Sequence, residues 1–487
     1  MSDFIIGVDA GTSMVKAVAF DAEGRSAGLA RQAVKISRPA PGHSEQGLDE
    51  VWNAVVATVG EVSKELQGSL RLLAVTAQGD GCWFVDADGA PTAPAILWND
   101  ARATSYVERW QYEGVLEEAF RISGSVSFPG AQSAILRWLG DNAPDLLDRS
   151  DTVFYCKDWL RLKLTGERVT DESDASLPFV DVRERQYSLD LLNLFDLEAA
   201  ERLLPEVAPR YAPSELTADA AQALGLPAGL PVVIAPFDIA ATAIGMGVVE
   251  PGQAVTILGT TLCSEVVADS VETDGEPAGM HVCSGVPQRW LRAFASMAGT
   301  DALDWLASVS EFEDPAALAR RAGEVEPGAA GIALLPYLSP AGERAPFLNP
   351  HARGMLFGFS LEHGPDHLAR AWLEGLTFVI RDCLSASAQP PTELRVCGGG
   401  AASEDWCQMI ADSTRLPVTT AVEEEVGAKG AAVVGLSAVE GDDLANLAGG
   451  LFEAKHTFEP EPAQSERYDE AFDAWRELRT RIESMWR

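Results

Sequence analysis

One strand–turn–strand pattern occurs twice in the sequence, at the N-terminus and near the middle of the chain, and this repeat constrains the fold more than any other feature. In the first copy, apolar runs at residues 4–8 and 15–20 flank a glycine-containing turn at residues 9–13. In the second copy, an apolar run at residues 254–258 meets the turn 259–261, and a further strand pattern follows. Short apolar runs separated by such turns are typical of β-hairpins. The repeat predicts two domains that begin with the same element.

The length of the chain and the order of its patterns agree with two domains. The chain has 487 residues, whereas a single hydrophobic core stops growing near roughly 250 to 300 residues. Between the two hairpins, helical patterns such as residues 52–66 alternate with strand patterns such as residues 72–76, which is typical of α/β folds. We predict an α/β protein with an N-terminal domain at residues 1–248 and a C-terminal domain at residues 249–487.

Charge and cysteine content exclude several classes of function. The formal net charge is -36, from 73 acidic and 37 basic side chains, and such a surface repels a nucleic-acid backbone unless its cations are clustered. No basic stripe is present. The seven cysteines contain no Cys-x-x-Cys pair, unlike a zinc site or a disulfide framework. The N-terminus lacks a signal-peptide pattern, and no uncharged stretch is long enough to span a membrane. We expect a cytoplasmic protein without nucleic-acid or membrane partners.

Three glycine-containing turns follow predicted strands, where backbone N–H groups can approach a phosphate closely. A turn of this kind is usually only a turn, because glycine relieves strain at positive φ. Their placement at the same structural point in both halves favours a nucleotide site. The P-loop and dinucleotide fingerprints are absent, as are the zinc-protease and serine-hydrolase motifs. The residues of these turns that we expect to bind the nucleotide are Gly11, Thr12, Ser13, Gly259, Thr260, Thr261, Gly399 and Gly400.

Two carboxylates are candidates for the chemistry, and one of them, Asp9, lies in the first of these turns. Asp238 follows the apolar run 231–237 and precedes a helical pattern of small residues, so it is expected where ligand crevices of α/β sheets open. It is either a helix N-cap or a base that accepts a hydroxyl proton during phosphoryl transfer. Asp9 is either an ordinary turn aspartate or a ligand of Mg²⁺, directly or through water.

Two polar clusters follow other predicted strands and are suited to a hydroxyl-rich ligand. The first contains Gln78, Gly79 and Asp80, and the second contains Trp98, Asn99 and Arg102. Donors and acceptors beside an aromatic wall bind hydroxyls specifically. Each cluster is equally consistent with a polar loop whose tryptophan lies in the core.

Taken together, these motifs resemble the FGGY carbohydrate kinases over nearly the whole chain. The most specific is the stretch from Gly398 to Asp412, which contains Ser403, Trp406 and Gln408. The resemblance also includes the segments Asp9-Ala-Gly-Thr-Ser13, Trp98-Asn-Asp-x-Arg102, Phe237-Asp238, Leu258-Gly-Thr-Thr261 and Glu343-Arg-Ala-Pro346.

The resemblance implies two ribonuclease H-like, actin-type ATPase domains with an interdomain cleft, ATP and Mg²⁺ as cofactors, and transfer of the γ-phosphoryl group to a small sugar or polyol. By this carry-over Asp238 is the catalytic base, Asp9 lies at the metal, and Gly399, Gly400 and Ala401 lie near the adenosine. Gln78, Gly79, Asp80, Trp98, Asn99 and Arg102, with Asp238, fall where family members contact the substrate. A homodimer is possible.

The sequence departs from some members of the family around the acceptor. Gln78-Gly-Asp-Gly81 replaces the Gln-Met-His-Gly of typical D-xylulose kinases and the Gln-Arg-Glu of glycerol kinases. With Cys156-Lys-Asp-Trp159 and the segment 170–176, it looks closer to erythritol and L-xylulose kinases. We expect a ketopentose of the xylulose type, with erythritol as the alternative. A non-catalytic sugar or nucleotide sensor and an ATPase acting on a protein stay open as rivals.

Overall fold

The computed structural model describes residues 2–208, 211–274, 277–310 and 312–486, which form two compact units. Unit 1 comprises residues 1–249, 269–291 and 425–452, and unit 2 comprises residues 250–268, 292–424 and 453–487. The chain therefore does not divide at a single point. Two segments beyond the predicted boundary at residue 249, namely 269–291 and 425–452, belong to unit 1.

The central sheet of unit 1 confirms the first predicted hairpin. Its strands are β1 (Ser2–Ala10), β2 (Met14–Phe20), β3 (Ser26–Ala33), β4 (Gly68–Ala77), β5 (Ser214–Glu215) and β6 (Pro231–Ile234). Their order across the sheet is β5-β6-β4-β1-β2-β3. β1 pairs antiparallel with β2 and parallel with β4, and β4 pairs parallel with β6. The carboxyl ends of β1, β4 and β6 consequently meet at one edge of the sheet.

Helices cover both faces of this sheet. The helix Leu48–Glu65 buries one apolar stripe, Val51, Val55, Val59 and Val62, at helical spacing. The opposite face carries Ile5, Val18, Leu72 and Val233 and packs against the helix Val426–Glu440.

The helix Val426–Glu440 explains why the segment 425–452 belongs to unit 1. It is rich in small residues and packs closely against the helix Asp238–Gly245. A Cβ at Gly430 would lie 1.8 Å from the carbonyl oxygen of Ala241, and one at Gly245 would lie 1.9 Å from that of Val426. Only glycine allows this backbone approach. Sequence order alone assigns this segment to the predicted C-terminal domain, whereas packing places it on the sheet of unit 1.

Unit 2 repeats the same sheet topology. Its main sheet includes β7 (Gln253–Leu258), β8 (Leu262–Ala268), β9 (Trp290–Ala295), β10 (Glu393–Cys397), β11 (Val418–Ala421) and β12 (Ala454–Phe458), in the order β9-β8-β7-β10-β11-β12. β7 pairs antiparallel with β8 and parallel with β10, and β10 pairs parallel with β11. Both predicted hairpins thus begin equivalent mixed sheets, and the α/β prediction is confirmed.

The remaining elements surround the two sheets. The other helices of unit 1 are Thr104–Glu113, Val115–Ser123, Gln132–Asn142, Pro144–Arg149, Cys156–Thr165, Glu172–Ala175, Leu189–Leu194, Ala218–Leu224 and Leu444–Leu451, with the 3₁₀ helix Glu198–Leu203. Its short strands are Glu45–Gln46, Trp83–Val85, Ala95–Ile96, Thr152–Phe154, Val169–Asp171, Val180–Asp181, Gln186–Tyr187 and Glu206–Ala208. The strand Met280–Cys283 is the edge strand of the sheet that contains β7, next to β9.

Unit 2 has its own core around the long helix Pro365–Ser385. Its other helices are Asp301–Val309, Pro315–Gly323, Glu404–Thr414 and Pro462–Glu483, with the 3₁₀ helices Ala329–Gly331 and Gly399–Ala402, and its short strands are Ala333–Leu335 and Met355–Phe357. In the parts of the chain that the structure describes, the helices are all too short or too polar to cross a bilayer.

Candidate active site

Strand pairing in unit 1 brings the two predicted carboxylates to the same edge of the sheet. Asp9 is the penultimate residue of β1 and lies opposite Thr76 of β4. The Thr76 hydroxyl donates a hydrogen bond to the carbonyl oxygen of Pro236 at 2.6 Å. Asp238 follows two residues later, at the start of the helix Asp238–Gly245. Both carboxylates therefore stand where ligand crevices of α/β sheets open.

The environment of Asp238 disfavours its charged form. Burial, followed by the negative charge of Asp9 and a smaller effect of Asp80, raises the pKa of Asp238 to about 8. The backbone N–H of Ile239 opposes this shift by donating to Asp238 Oδ1 at 2.8 Å. A carboxyl group with a pKa near neutrality is suited to exchange a proton with a substrate.

The pKa of Asp9 is also raised, but by less than that of Asp238, because a nearby lysine opposes the shift. Burial raises the pKa of Asp9 to about 6, Lys16 lowers it, and Glu425 raises it. Glu425 is itself ion-paired with Lys16, with 2.6 Å between Lys16 Nζ and Glu425 Oε2. Asp9 Oδ1 is buried and has no hydrogen-bond partner among the described residues. An unpaired carboxylate oxygen of this kind fits a hard cation or its bound water.

Asp9 does not belong to a protein-only metal cage in this part of the molecule. Within the described ranges, no group of three or more His, Cys, Asp or Glu side chains is arranged to hold a metal ion. Gly427 lies directly against the carboxylate, since a Cβ there would be 2.9 Å from Asp9 Oδ2. Glycine at this position lets the backbone approach the Asp9 carboxylate without the clash that a Cβ would cause.

Hydrogen bonds connect the first glycine turn to both polar clusters. Trp98 Nε1–H donates to Thr12 Oγ1 at 2.9 Å, and Gln46 Nε2–H donates to the carbonyl oxygen of Thr12 at 2.9 Å. Gln78 Nε2–H donates in turn to Gln46 Oε1 at 2.9 Å. Gln78 Oε1 and Asn99 Oδ1 are buried without a hydrogen-bond partner in the described chain. These two acceptors are available to ligand hydroxyls.

The turn after β4 has an unusual backbone. Asp80 has a φ of 55° and Gly81 a φ of 77°, and the left-handed region is uncommon for a residue other than glycine. Gly79 is closely packed, because a Cβ there would lie 2.4 Å from the ring of Phe237. The turn is therefore held against the residue that precedes Asp238.

Arg102 belongs to the second cluster, but its charge is satisfied within the protein. Its guanidinium is ion-paired with Asp100 at 2.9 Å and with Glu45 at 2.7 Å, and it lies 5.3 Å from the ring centroid of Trp138. These bonds hold the loop that carries Trp98.

In the second glycine turn, Gly259 is anchored and Thr260 is exposed. The backbone N–H and hydroxyl of Thr300 both donate to the carbonyl oxygen of Gly259 at 2.9 Å. A Cβ at Gly299 would lie 2.1 Å from the carbonyl oxygen of Thr260. Thr261 is half-buried. The turn is thus fixed by its neighbour while its tip faces outward.

In unit 1, Gly11 closes the first turn by donating to the carbonyl oxygen of Met14 at 3.1 Å, and Ser13 is exposed.

Unit 2 contains a cavity of about 500 Å³ beside the third glycine turn. This volume lies in the range of small-molecule sites. Gly399 and Gly400 line the cavity, whereas Ala401 packs against the core beside it. Sequence reasoning missed the lining residues from Thr300 to Leu373 because no motif marks them, whereas residues 402–406 lie inside the stretch from Gly398 to Asp412 that carries the family resemblance. The other lining residues are Thr300, Leu303, Asp304, Pro315, Ala316, Ala319, Arg320, Leu373, Ala402, Ser403, Glu404, Asp405 and Trp406.

Comparisons with known proteins agree with this geometry. Models of the FGGY family of carbohydrate kinases match residues 4–245 with the N-terminal domain and residues 254–439 with the C-terminal domain. The chain is 34% identical to an erythritol kinase of Brucella abortus, covering 99% of this chain and 97% of that protein. It is 34% identical to a xylulose kinase of Escherichia coli, covering 84% of each.

A solved structure from Brucella ovis, described as a xyloylose kinase, is 30% identical, covers 99% of this chain and 100% of its own, and has a TM-score of 0.89. Sequence and fold thus match along almost the full length. The chain belongs to the FGGY family of carbohydrate kinases.

Proposed function

We propose that this kinase transfers the γ-phosphoryl group of ATP to a hydroxyl of a small ketopentose of the xylulose type, with Asp238 as the general base. The observation that carries the proposal is the pair Asp9 and Asp238 at one edge of the unit 1 sheet, both with raised pKa. Asp238 accepts the hydroxyl proton as the acceptor oxygen forms its bond to the γ-phosphorus. The bond between that phosphorus and the bridging oxygen breaks, and ADP leaves.

Asp9 is proposed to hold Mg²⁺ through its buried, unpaired Oδ1. Mg²⁺ usually binds proteins through one or two carboxylates and completes its shell with water and substrate phosphates. When bound, the ion neutralises charge on the transferring phosphates. A cation at Asp9 also offsets the negative charge that raises the pKa of Asp238.

The glycine turns are proposed to bind the nucleotide. Backbone N–H groups of Thr12 and Ser13 in unit 1, and of Gly259, Thr260 and Thr261 in unit 2, are assigned to the phosphates. Gly11, whose own N–H donates to the carbonyl oxygen of Met14, is assigned to shape the first turn around them. The cavity beside Gly399, Gly400 and Ala401 is assigned to the adenosine. Its partly apolar lining and its volume support that assignment.

The acceptor is assigned to the polar clusters of unit 1. Gln78 Oε1 and Asn99 Oδ1 supply unpaired acceptors, Asp80 supplies a carboxylate, Trp98 supplies an aromatic wall, and Gly79 lets the turn pack directly against Phe237. Arg102 is proposed to act by orienting this loop. Erythritol is the second candidate acceptor, because the erythritol kinase of Brucella abortus is 34% identical over 99% of this chain.

The proposed domain roles follow from these assignments. Residues 1–248 supply the acceptor site and the base, and residues 249–487 bind the nucleoside. We propose that the enzyme is cytoplasmic. That it forms a homodimer stays a prediction.

The direct test is ADP release with ATP and Mg²⁺ across D-xylulose, L-xylulose, D-ribulose, erythritol, glycerol and gluconate. We expect a xylulose isomer to stimulate turnover most, and stronger stimulation by erythritol would select the second candidate.

Asp238→Asn should lower turnover with the best acceptor by about 100-fold or more without loss of ATP binding. Near-normal turnover of that variant would remove Asp238 from the role of base. ATP hydrolysis that no acceptor stimulates would favour an ATPase acting on another partner.

A further inference from the structure

A fully buried ion cluster lies behind the acceptor site in unit 1. The ammonium group of Lys157 lies 2.8 Å from Asp158 Oδ1, 2.7 Å from Asp171 Oδ2 and 3.0 Å from Asp174 Oδ2. All four side chains are at most 2% exposed. Lys157 therefore meets three carboxylates with no access to solvent.

The ammonium group of this cluster keeps its charge despite its burial, whereas burial raises the pKa of the Asp158 and Asp174 carboxyl groups. Burial lowers the pKa of Lys157, but the three carboxylates outweigh it and raise the pKa above its ordinary value. A buried ion cluster is weak evidence for stability, because well-packed apolar residues often replace one without loss. The role of the cluster is instead indicated by the residues that it holds in place.

One member of the cluster is linked through Ser173 to the backbone next to the proposed base. Asp171 Oδ1 accepts hydrogen bonds from the Ser173 backbone N–H at 2.8 Å and from the Ser173 hydroxyl at 2.5 Å. The Ser173 hydroxyl oxygen accepts a hydrogen bond from the backbone N–H of Phe237 at 3.1 Å. Phe237 immediately precedes Asp238. Two side chains, those of Asp171 and Ser173, thus connect Lys157 to the backbone N–H of Phe237, one residue before the base.

A second member of the cluster lies behind the acceptor turn. A Cβ at Gly79 would be 3.1 Å from Asp174 Oδ1 and 2.4 Å from the ring of Phe237. Asp174 and Phe237 therefore contact the same point of the turn that carries Gln78 and Asp80. The cluster and the peptide of Phe237 together fix the distance between this turn and the start of the helix at Asp238.

We propose that Ser173, held by Asp171 and Lys157, is a positioning residue that fixes the Phe237 peptide and through it the carboxylate of Asp238 relative to the acceptor. The inference rests on the proposed role of Asp238. Ser173 and Lys157 touch neither substrate nor nucleotide in this assignment. A misplacement of about 1 Å at a reacting group can lower the rate by about 100-fold, so a lost bond next to the base affects turnover more than binding.

The test compares Ser173→Ala with a matched control. Ser123 is also buried, and its hydroxyl also accepts a backbone N–H, that of Ser125 at 3.1 Å, while donating to the carbonyl oxygen of Ala119 at 3.0 Å. Both substitutions remove a buried hydroxyl with two bonds, but only Ser173 is bonded next to Asp238. We expect Ser173→Ala to lower kcat for the best acceptor by about 10-fold or more, with an unchanged KM for ATP. Ser123→Ala should keep kcat within about 2-fold at a similar loss of thermal stability.

A double substitution separates positioning from general destabilisation. If Ser173 acts through the carboxylate of Asp238, Ser173→Ala should cause no further loss of kcat in the Asp238→Asn background. An equal loss in both backgrounds would overturn the inference, as would a kcat for Ser173→Ala that equals that of Ser123→Ala. Near-normal turnover of Asp238→Asn itself would overturn the proposed base, and a deficient Asp238→Asn with a normal Ser173→Ala would overturn the positioning role alone.

A second variant keeps the test valid if Ser173→Ala does not fold. Ser173→Cys nearly preserves the side-chain volume while its thiol forms only weak hydrogen bonds. The kcat of Ser173→Cys should lie between the kcat of wild type and that of Asp238→Asn, again with an unchanged KM for ATP. A folded Ser173→Cys with wild-type kcat would contradict the proposal.

Discussion

Replacing Asp238 by asparagine should stabilise the protein at alkaline pH even though it removes the proposed base. Asparagine has the shape of aspartate and keeps the oxygen that accepts the Ile239 N–H at 2.8 Å. It carries no charge, so it avoids both burial of an ion and repulsion by Asp9. The pKa of Asp238 is raised from 3.8 to about 8. The folded wild type therefore binds this proton more tightly than the unfolded chain does.

The sign and size of the effect follow from that difference in proton affinity. Stability from this group is fully present below the unfolded pKa and is lost as the pH rises through the folded pKa. Each pH unit between those values costs the wild type about 1.4 kcal/mol, whereas the asparagine variant does not titrate. Between about pH 5 and about pH 8, the free energy of unfolding of the variant should gain up to about 4 kcal/mol relative to wild type.

Thermal unfolding of both proteins across this pH range measures the gain. Asp88→Asn changes an exposed carboxylate in the same way and is the matched control, for which the difference from wild type should stay small at every pH. A melting temperature of Asp238→Asn that falls relative to wild type as the pH rises would refute the reasoning. So would a difference that does not change with pH.

Three further predictions concern the two binding regions and the base. Gly79→Ala places a methyl group 2.4 Å from the ring of Phe237, so it should lower kcat/KM for the acceptor by about 10-fold while leaving KM for ATP unchanged, as steady-state kinetics would show. Gly400→Ala places a methyl group 2.5 Å from the ring of Trp406 and should raise KM for ATP by about 10-fold with little change in KM for the acceptor; Gly449→Ala, with no atom within 4 Å of the new methyl, is the control. The kcat/KM for the acceptor should rise with pH, because the base must be deprotonated and burial raises its pKa. The rise should end below about pH 8, because a cation at Asp9 offsets part of the shift, and a profile that is flat from about pH 5 upward would contradict the assignment.

Several features of the fold were predictable because the signals are local. Apolar runs separated by glycine turns specify hairpins, and their repetition specifies the two equivalent sheets that the structure contains. A polar residue at the end of a buried run is expected at a strand end. That rule predicted Asp238 at a strand end and Asp9 beside the first turn, and strand pairing brings both to one sheet edge.

Other features depended on contacts between segments that are distant in sequence. The segment 425–452 joins unit 1 because glycines in two helices allow a close approach that no single segment signals. The charge of Arg102 is taken up by Asp100 and Glu45, which no spacing rule predicts.

The same division applies to the candidate site. The sequence by itself determined the chemical groups and the strand ends at which they stand, because periodicity and turn chemistry are properties of neighbouring residues. Only the tertiary structure decided which groups are buried together, such as Lys157 with Asp171 and Asp174, and which oxygen atoms stay unpaired, such as Asp9 Oδ1. Burial and pairing depend on packing among remote segments, and they set the proton affinities on which the chemistry depends.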